Sequence, residues 1–317
     1  MKKVVIFFVI ILLALFLLCE LKATPLQKSI IPAETDWVLH LDVEKFTSTR
    51  FGDQLLNNEN ILGLRNKNDQ FLKKYQIDIL KDINGVTIYG FGRDEKKIVT
   101  CLRGNFDRDY LLGLLAKEES HKEIPHGKFI IHKWNWNEFG AFADDHLALL
   151  AQDETAIKEA LDVIAGKKAN ITASSLMPYL NEIPPNAFFA ALAKDISEMA
   201  GLETKVMVFK KTESALYTLS EEKENIHMKL NIIAKTLEDA KNMESVIRGL
   251  ISLATMQMEE AYKEIGLSLE KINISTEGKK VRVETFYPVK ELIEILLGRV
   301  KFLPFHIPAG FDLHPNL

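Results

Sequence analysis

Cysteine is almost absent from this chain of 317 residues, which contains only Cys19 and Cys101. Cys19 lies in the N-terminal apolar segment, so Cys101 is alone in the rest of the chain and no internal disulfide can form. The fold must therefore be stabilised by its hydrophobic cores. Cys101 itself sits in a strand-like apolar run, residues 98–102, which is typical of a small buried side chain.

An excess of basic residues is also lacking. The chain has 40 basic and 44 acidic residues, and removing Lys2, Lys3, Lys22 and Glu20 leaves 37 and 43, a net charge of −6. This balance argues against a nucleic-acid partner, because such surfaces carry clustered positive charge. With 47% hydrophobic and 26% charged residues, the composition is that of an ordinary globular chain, and its length indicates two domains.

One long apolar run, residues 4–18, follows Lys2 and Lys3 directly. A membrane-spanning helix needs roughly 20 apolar residues, so this shorter run predicts a secretory signal peptide. Cleavage after the small residue Ala23 would make Thr24 the first residue of a secreted chain, periplasmic or extracellular.

Two alternatives keep the N-terminus attached to the membrane. Cys19 ends the apolar run, which suits lipidation, although Leu17 and Leu18 precede it where a small residue is usual. An uncleaved anchor is the other alternative, since the cleavage site is imperfect. In every case, we expect membrane contact only through this segment.

Two similar segments predict a tandem architecture. Residues 31–42 and 183–195 both run from Ile-Pro through a turn and an aromatic residue into a strand that ends near Asp. Strands pair with strands after each segment, with helices between them, which predicts an α+β fold of two tandem units, each an antiparallel sheet covered by helices. The similarity of the two segments adds the hypothesis that the units arose by duplication. The predicted boundaries are 1–23 for the signal or anchor, 24–178 and 179–303 for the two domains, and 304–317 for a tail.

Several strand and turn sequences carry a resemblance. They are residues 31–33, 37–42, 77–78 and 82–90, with residues 240–254 and 278–289 in the second unit. These segments resemble those of exported bacterial proteins of unknown function. The resemblance implies export from a bacterial cell and implies no particular chemistry.

Four histidines are weak candidates for metal ligands: His121, His126, His132 and His146. Nitrogen and oxygen ligands suit zinc, but no H-E-x-x-H spacing joins these residues. His121 and His126 flank Pro125 and Gly127, which predicts an exposed loop. We therefore expect no metal and no other cofactor.

A long helix that begins near Thr236 is the candidate binding element. Its apolar stripe includes Met243, Ile247, Leu250, Ala254 and Met258. Because methionine adapts to irregular surfaces, this stripe suits a groove for an apolar ligand or a partner helix. The alternative is that the stripe simply covers the second sheet.

Three classes of function follow. The first is a non-enzymatic binding or assembly module of the cell envelope, with a protein or an apolar small molecule as its partner. The second is a carrier of an apolar ligand or lipid between the second sheet and the long helix. The third is a hydrolase of unrecognised type, a class that includes metal-dependent hydrolases. The chain has no G-x-S-x-G motif, so we expect a binding protein rather than an enzyme.

Overall fold

The computed structural model of this chain describes residues 24–57, 64–92, 94–135, 137–194, 210–258 and 271–296. The predicted signal segment (1–23), with Cys19, and the predicted tail (304–317) lie outside these ranges. Within the described ranges, twelve strands form one sheet. They are β1 (Trp37–Asp42), β2 (Ile83–Gly90), β3 (Val99–Gly104), β4 (Lys122–His126), β5 (Phe129–Trp134), β6 (Glu138–Asp144), β7 (Leu147–Ala151), β8 (Ala187–Lys194), β9 (Thr212–Glu222), β10 (Asn225–Ala234), β11 (Asn273–Glu277) and β12 (Lys280–Pro288).

Helices lie between and after the strands in the same part of the chain. They are α1 (Val43–Thr47), α2 (Arg50–Leu56), α3 (Leu64–Tyr75), α4 (Ile79–Asp82), α5 (Arg108–Leu115), α6 (Glu154–Ile164), α7 (Met177–Leu180), α8 (Leu237–Met258) and α9 (Val289–Leu296). Every strand pairing is antiparallel. The predicted class, an α+β fold with an antiparallel sheet covered by helices, is confirmed.

The order of the strands joins the two predicted units edge to edge. It runs β11-β12-β10-β9-β8-β1-β2-β3-β7-β6-β5-β4. Strands β1 and β8, which follow the two Ile-Pro segments, pair with each other in the middle of the sheet. Among the strands in the described residues, the third strand of each unit, β3 or β10, is followed in the sheet by the last strand of that unit, β7 or β12. This shared order favours duplication, which stays a prediction together with the domain boundaries.

One core lies between the sheet and α6. Asp153 caps this helix by accepting a hydrogen bond of 2.8 Å from the backbone N–H of Ala156. Ile157 and Leu161, one helical turn apart, are completely buried against the strands of the first unit. Gly166 follows the helix with a φ of +74°, the left-handed conformation that glycine adopts at no steric cost. This helix therefore has a side-chain cap at its start and a glycine directly after its end.

A second core on the opposite face contains residues of both units. Phe46 of α1 and Phe188 of β8 meet with ring centroids 5.4 Å apart, and Phe51 of α2 lies 6.4 Å from Phe188. The second unit also caps α2, because the carboxylate of Glu221 accepts hydrogen bonds from the backbone N–H groups of Arg50 and Phe51. The two units therefore share a core and a helix cap.

The predicted loop around Pro125 is wrong, because residues 122–126 form the edge strand β4. Proline lacks a backbone N–H, but an edge strand has a partner on one side only and tolerates this loss. A two-residue turn at Gly127 and Lys128 joins β4 to β5, and Gly127 has a φ of +60°.

Thr24, the first residue of the predicted mature chain, is held on the sheet. Its carbonyl oxygen accepts a hydrogen bond of 3.0 Å from Nε2 of His40, and its hydroxyl donates to Glu44 over 3.2 Å. Its side chain lies over Gly85, where an added Cβ would come within 2.8 Å of Cγ2 of Thr24. Nδ1 of His40, 3.0 Å from the hydroxyl of Thr87, accepts in the neutral tautomer.

We expect His40 to make the fold sensitive to acid. Burial lowers its pKa, with Lys45 in support, while the hydrogen bond to Thr24 and the charge of Asp42 oppose this shift. Because the unfolded chain then binds more protons than the folded protein, the free energy of unfolding falls as the pH drops below 6.5, by at most about 1.4 kcal/mol per pH unit. Urea unfolding from pH 7.5 to 5 measures this. The His40→Gln variant, which keeps a side-chain amide donor, should show a shallower dependence, and an identical slope would contradict the assignment.

Candidate functional site

Helix α8 begins with a side-chain cap. The hydroxyl of Thr236 accepts a hydrogen bond of 3.0 Å from the backbone N–H of Asp239 and donates to the carboxylate of the same residue over 2.7 Å. From this start, α8 covers the second unit, where Ala240 and Met243 are completely buried. They belong to a core cluster with Ile232, Ala234, Ile274 and Val281.

The predicted ligand-binding residues of α8 do not share one surface. Met243 lies inside the core cluster and Ile247 packs against it. Leu250 instead faces outward, with 44% of its surface exposed. The side chains of Ala254 and Met258 are outside the described part of the structure. The inner residues thus cover the sheet, and Leu250 belongs to a different surface.

That outer surface, which we call the apolar flank of α8, consists of Val246, Gly249, Leu250 and Leu253. Leu253 is 58% exposed, and an added Cβ at Gly249 would find no atom within 4 Å. The spacing of three, four and seven residues places all four side by side on the helix. The sequence analysis assigned buried Met243 and exposed Leu250 to one apolar stripe, because the residues of both surfaces recur at helical spacing.

Two charged residues of α8, Glu244 and Arg248, are engaged away from the apolar flank. Arg248 binds the carboxylate of Glu244 over 2.7 Å and the carbonyl oxygen of Ile274 over 2.6 Å, which ties the helix to β11. Thr276 and the charged Arg248 lower the pKa of Glu244. The apolar flank itself contains no charged residue.

A second arrangement lies at the far edge of the sheet, where β4 pairs with β5. Register places Glu123 directly opposite His132, so both side chains are on the same face. His121 comes two residues before Glu123, and its Nε2 lies 3.1 Å from Nδ1 of His132. The two ring planes are inclined by 13°, with centroids 5.4 Å apart. We call these three residues the histidine–glutamate cluster.

Burial and charge act differently on its members. His132 is buried, while the side chain of Glu123 is 57% exposed. Burial lowers the pKa of His132, the charge of Glu123 opposes this, and His121 and Arg108 lower the pKa further. The neutral imidazole is therefore the favoured form, and only the neutral form binds a metal.

The other two candidate histidines do not join the cluster. His126 contacts Asp162 of α6, with Nε2 and Oδ1 2.9 Å apart. His146 lies with Nδ1 3.1 Å from the carbonyl oxygen of Gly104. Glu123 was missed in the sequence, although the hairpin turn at Gly127 would have placed it opposite His132.

The single thiol within the described residues is inert. Cys101 of β3 is buried, and burial raises its pKa to about 12. Because the thiolate is the reactive form, Cys101 has no nucleophilic role at neutral pH. The expectation of a buried structural thiol is confirmed.

Comparisons with known proteins support the fold alone. No protein-family model and no curated protein matches this chain. Among solved structures, it is similar to crystal form I of TP0453, with 12% identity over 89% of this chain and 100% of that chain and a TM-score of 0.51. Crystal form III of TP0453 gives 9% identity, 87% and 99% coverage, and a TM-score of 0.53. At these identities the likeness concerns the arrangement of helices and strands.

No helix in the described ranges has both the length and the apolar character that a membrane span requires.

Proposed function

We propose that this chain is an exported protein of the cell envelope that acts as a non-enzymatic binding module. The observation that carries the proposal is the apolar flank of α8. The helix already contributes Ala240 and Met243 to a closed core, yet it presents Leu250 and Leu253 to solvent. An apolar surface that the fold does not bury is typical of a site that another molecule covers.

We propose an amphipathic helix of a partner protein as the occupant. Val246, Leu250 and Leu253 repeat at the spacing by which helices present anchor residues to each other. Gly249 lies among them without a side chain, so a second helix can approach closely. The flank is also uncharged, which matches an apolar partner face better than an acidic or basic peptide.

The N-terminal features support the export part of the proposal. Lys2, Lys3 and the short apolar run are typical of a signal peptide, and Ala23 is the small residue before the proposed cleavage site. Thr24, which would follow that site, is already held by His40 and Glu44. The resemblance to exported bacterial proteins agrees with this location. Lipidation of Cys19 and an uncleaved anchor stay as alternatives, which the intact mass of the exported protein distinguishes.

Site-directed cross-linking in the producing cells tests the binding surface. We expect a Leu253→Cys variant that carries a short thiol-reactive cross-linker to form an adduct with one partner protein. A Lys241→Cys variant is the control, because residue 241 is exposed and lies on a part of the same helix away from the flank. Cys101 does not interfere, because it is buried and its pKa is raised to about 12.

The supporting result is an adduct at residue 253 that is absent at residue 241 and is abolished by Leu250→Asp without a change in melting temperature. Adducts at both positions, or at neither, contradict the proposal. An adduct between two copies of this chain would show that the occupant of the flank is a second copy and not a helix of a partner protein. A lipid that copurifies with the protein in native mass spectrometry, and whose loss follows Met243→Ala, would instead favour the carrier.

A further inference from the structure

We infer that the histidine–glutamate cluster at the β4–β5 edge is a binding site for a divalent transition metal, with zinc as the expected ion. His121 supplies Nε2, His132 supplies Nδ1 and Glu123 supplies a carboxylate oxygen. These ligand atoms all lie within 4.8 Å of one another. This inference goes beyond the proposed function and does not depend on it.

The distances fit such an ion with little movement. Zinc binds imidazole nitrogen at 2.0–2.1 Å, so two nitrogens in a tetrahedral site lie about 3.3–3.4 Å apart. The two histidine nitrogens are 3.1 Å apart. The carboxylate oxygen of Glu123 is 3.9 Å from Nδ1 of His132, and its exposed side chain is free to rotate the remaining distance.

The two imidazoles are held in place before any ion arrives. His132 is buried in β5, and its strand neighbour Glu123 faces it across the hairpin. The loop that carries His121 is fixed by two hydrogen bonds, from the backbone N–H of His121 to the carbonyl oxygen of Glu118 over 2.9 Å and from the backbone N–H of Asn135 to the hydroxyl of Ser120 over 3.0 Å. A site whose ligands are already ordered loses little conformational entropy on binding.

The chemistry of the ligands selects the class of ion. Imidazole and carboxylate suit zinc, copper and nickel, whereas calcium and magnesium prefer oxygen ligands alone. Two histidines and one glutamate leave one tetrahedral position of zinc for water. The exposed side of Glu123 keeps that position in contact with solvent.

Metal titration of the tag-free protein tests the site. We expect isothermal titration with zinc alone to show one ion bound per chain, and cobalt to give the visible absorption of a four-coordinate nitrogen and oxygen site. Glu123→Gln and His121→Ala should each weaken zinc binding by about 10–100-fold or more. The control is His146→Ala, whose imidazole contacts Gly104 instead. This variant should bind zinc within about twofold of the parent chain, because His146 is not one of the three proposed ligands.

Both replaced side chains, Glu123 and His121, are at least partly exposed, so we expect both variants to fold. Circular dichroism checks the folding of each variant before zinc is added. The inference is overturned if the parent chain binds no zinc, or if both folded ligand variants bind zinc as tightly as His146→Ala. The outcome is separate from the cross-linking result, because the cluster lies on the β4–β5 hairpin and the loop before it, whereas the apolar flank lies on α8 of the other predicted unit.

Discussion

Replacing Phe188 by alanine is expected to lower the free energy of unfolding by about 3–5 kcal/mol, the range for removing a large aromatic side chain from a core. Phe188 is almost completely buried, and it contacts Phe46 and Phe51 from the other predicted unit. The cavity would therefore lie where the two units meet. We also expect unfolding in one transition, because the shared core couples both halves of the sheet.

Chemical denaturation monitored by circular dichroism and by tryptophan fluorescence measures this effect. Phe286→Ala is the matched control: Phe286 is 44% exposed and stacks on His227 at the surface. The Phe286→Ala replacement should lower the free energy of unfolding by less than about 1 kcal/mol. Equal losses in the two variants would show that the aromatic cluster is not a central core. Two separate transitions in the Phe188→Ala variant would show that the units unfold independently.

In the Gly104→Ala variant, the free energy of unfolding is expected to fall by about 3 kcal/mol, the upper end of the range for inserting extra atoms into a well-packed core. Gly104 ends β3, where an added Cβ would lie 2.0 Å from the carbonyl oxygen of Asp82. That oxygen belongs to the backbone and already accepts a hydrogen bond of 2.7 Å from the N–H of Asn105. The strand end must therefore move as a whole to admit a methyl group.

At a second glycine, replacement by alanine is expected to raise the free energy of unfolding instead of lowering it. Gly113 lies in α5, and an added Cβ there would meet no atom within 4 Å. Because alanine is a better helix former than glycine, Gly113→Ala should stabilise the protein by about 0.5–1 kcal/mol. Thermal unfolding of both variants beside the parent chain tests the pair. If Gly104→Ala melts at or above the temperature of the parent chain, the close contact with Asp82 is wrong.

The agreement between sequence and structure is best where the cause is local. Asp107 and Asp153 cap their helices locally, because a short side chain that accepts a nearby backbone N–H acts within four residues. Gly278, with a φ of +57°, likewise supplies the turn between β11 and β12 locally. The failure at β4 has the opposite origin, since Pro125 is a local signal for a loop and only its position at the sheet edge makes a strand acceptable.

The candidate sites likewise contain features that the sequence shows and features that depend on the tertiary structure. Helical spacing identified the apolar residues of α8, but it could not tell Met243 in the core from Leu250 in solvent, since neither the width of the stripe nor its spacing says which part a sheet covers. The four histidines were visible as a group. Which of them meet depends on the register of the β4–β5 hairpin, and this register unites His121 and His132 with Glu123.

Composition, caps and periodicity in this chain were thus sufficient to predict an α+β fold with antiparallel sheets and a buried, isolated Cys101. These features depend on interactions between residues that are close along the chain, or on whether a side chain prefers water. The single sheet that joins β1 to β8, the aromatic core of Phe46, Phe51 and Phe188, and the histidine–glutamate cluster depend on contacts between distant segments. Strand register and packing establish those contacts, and no short stretch of sequence encodes them alone.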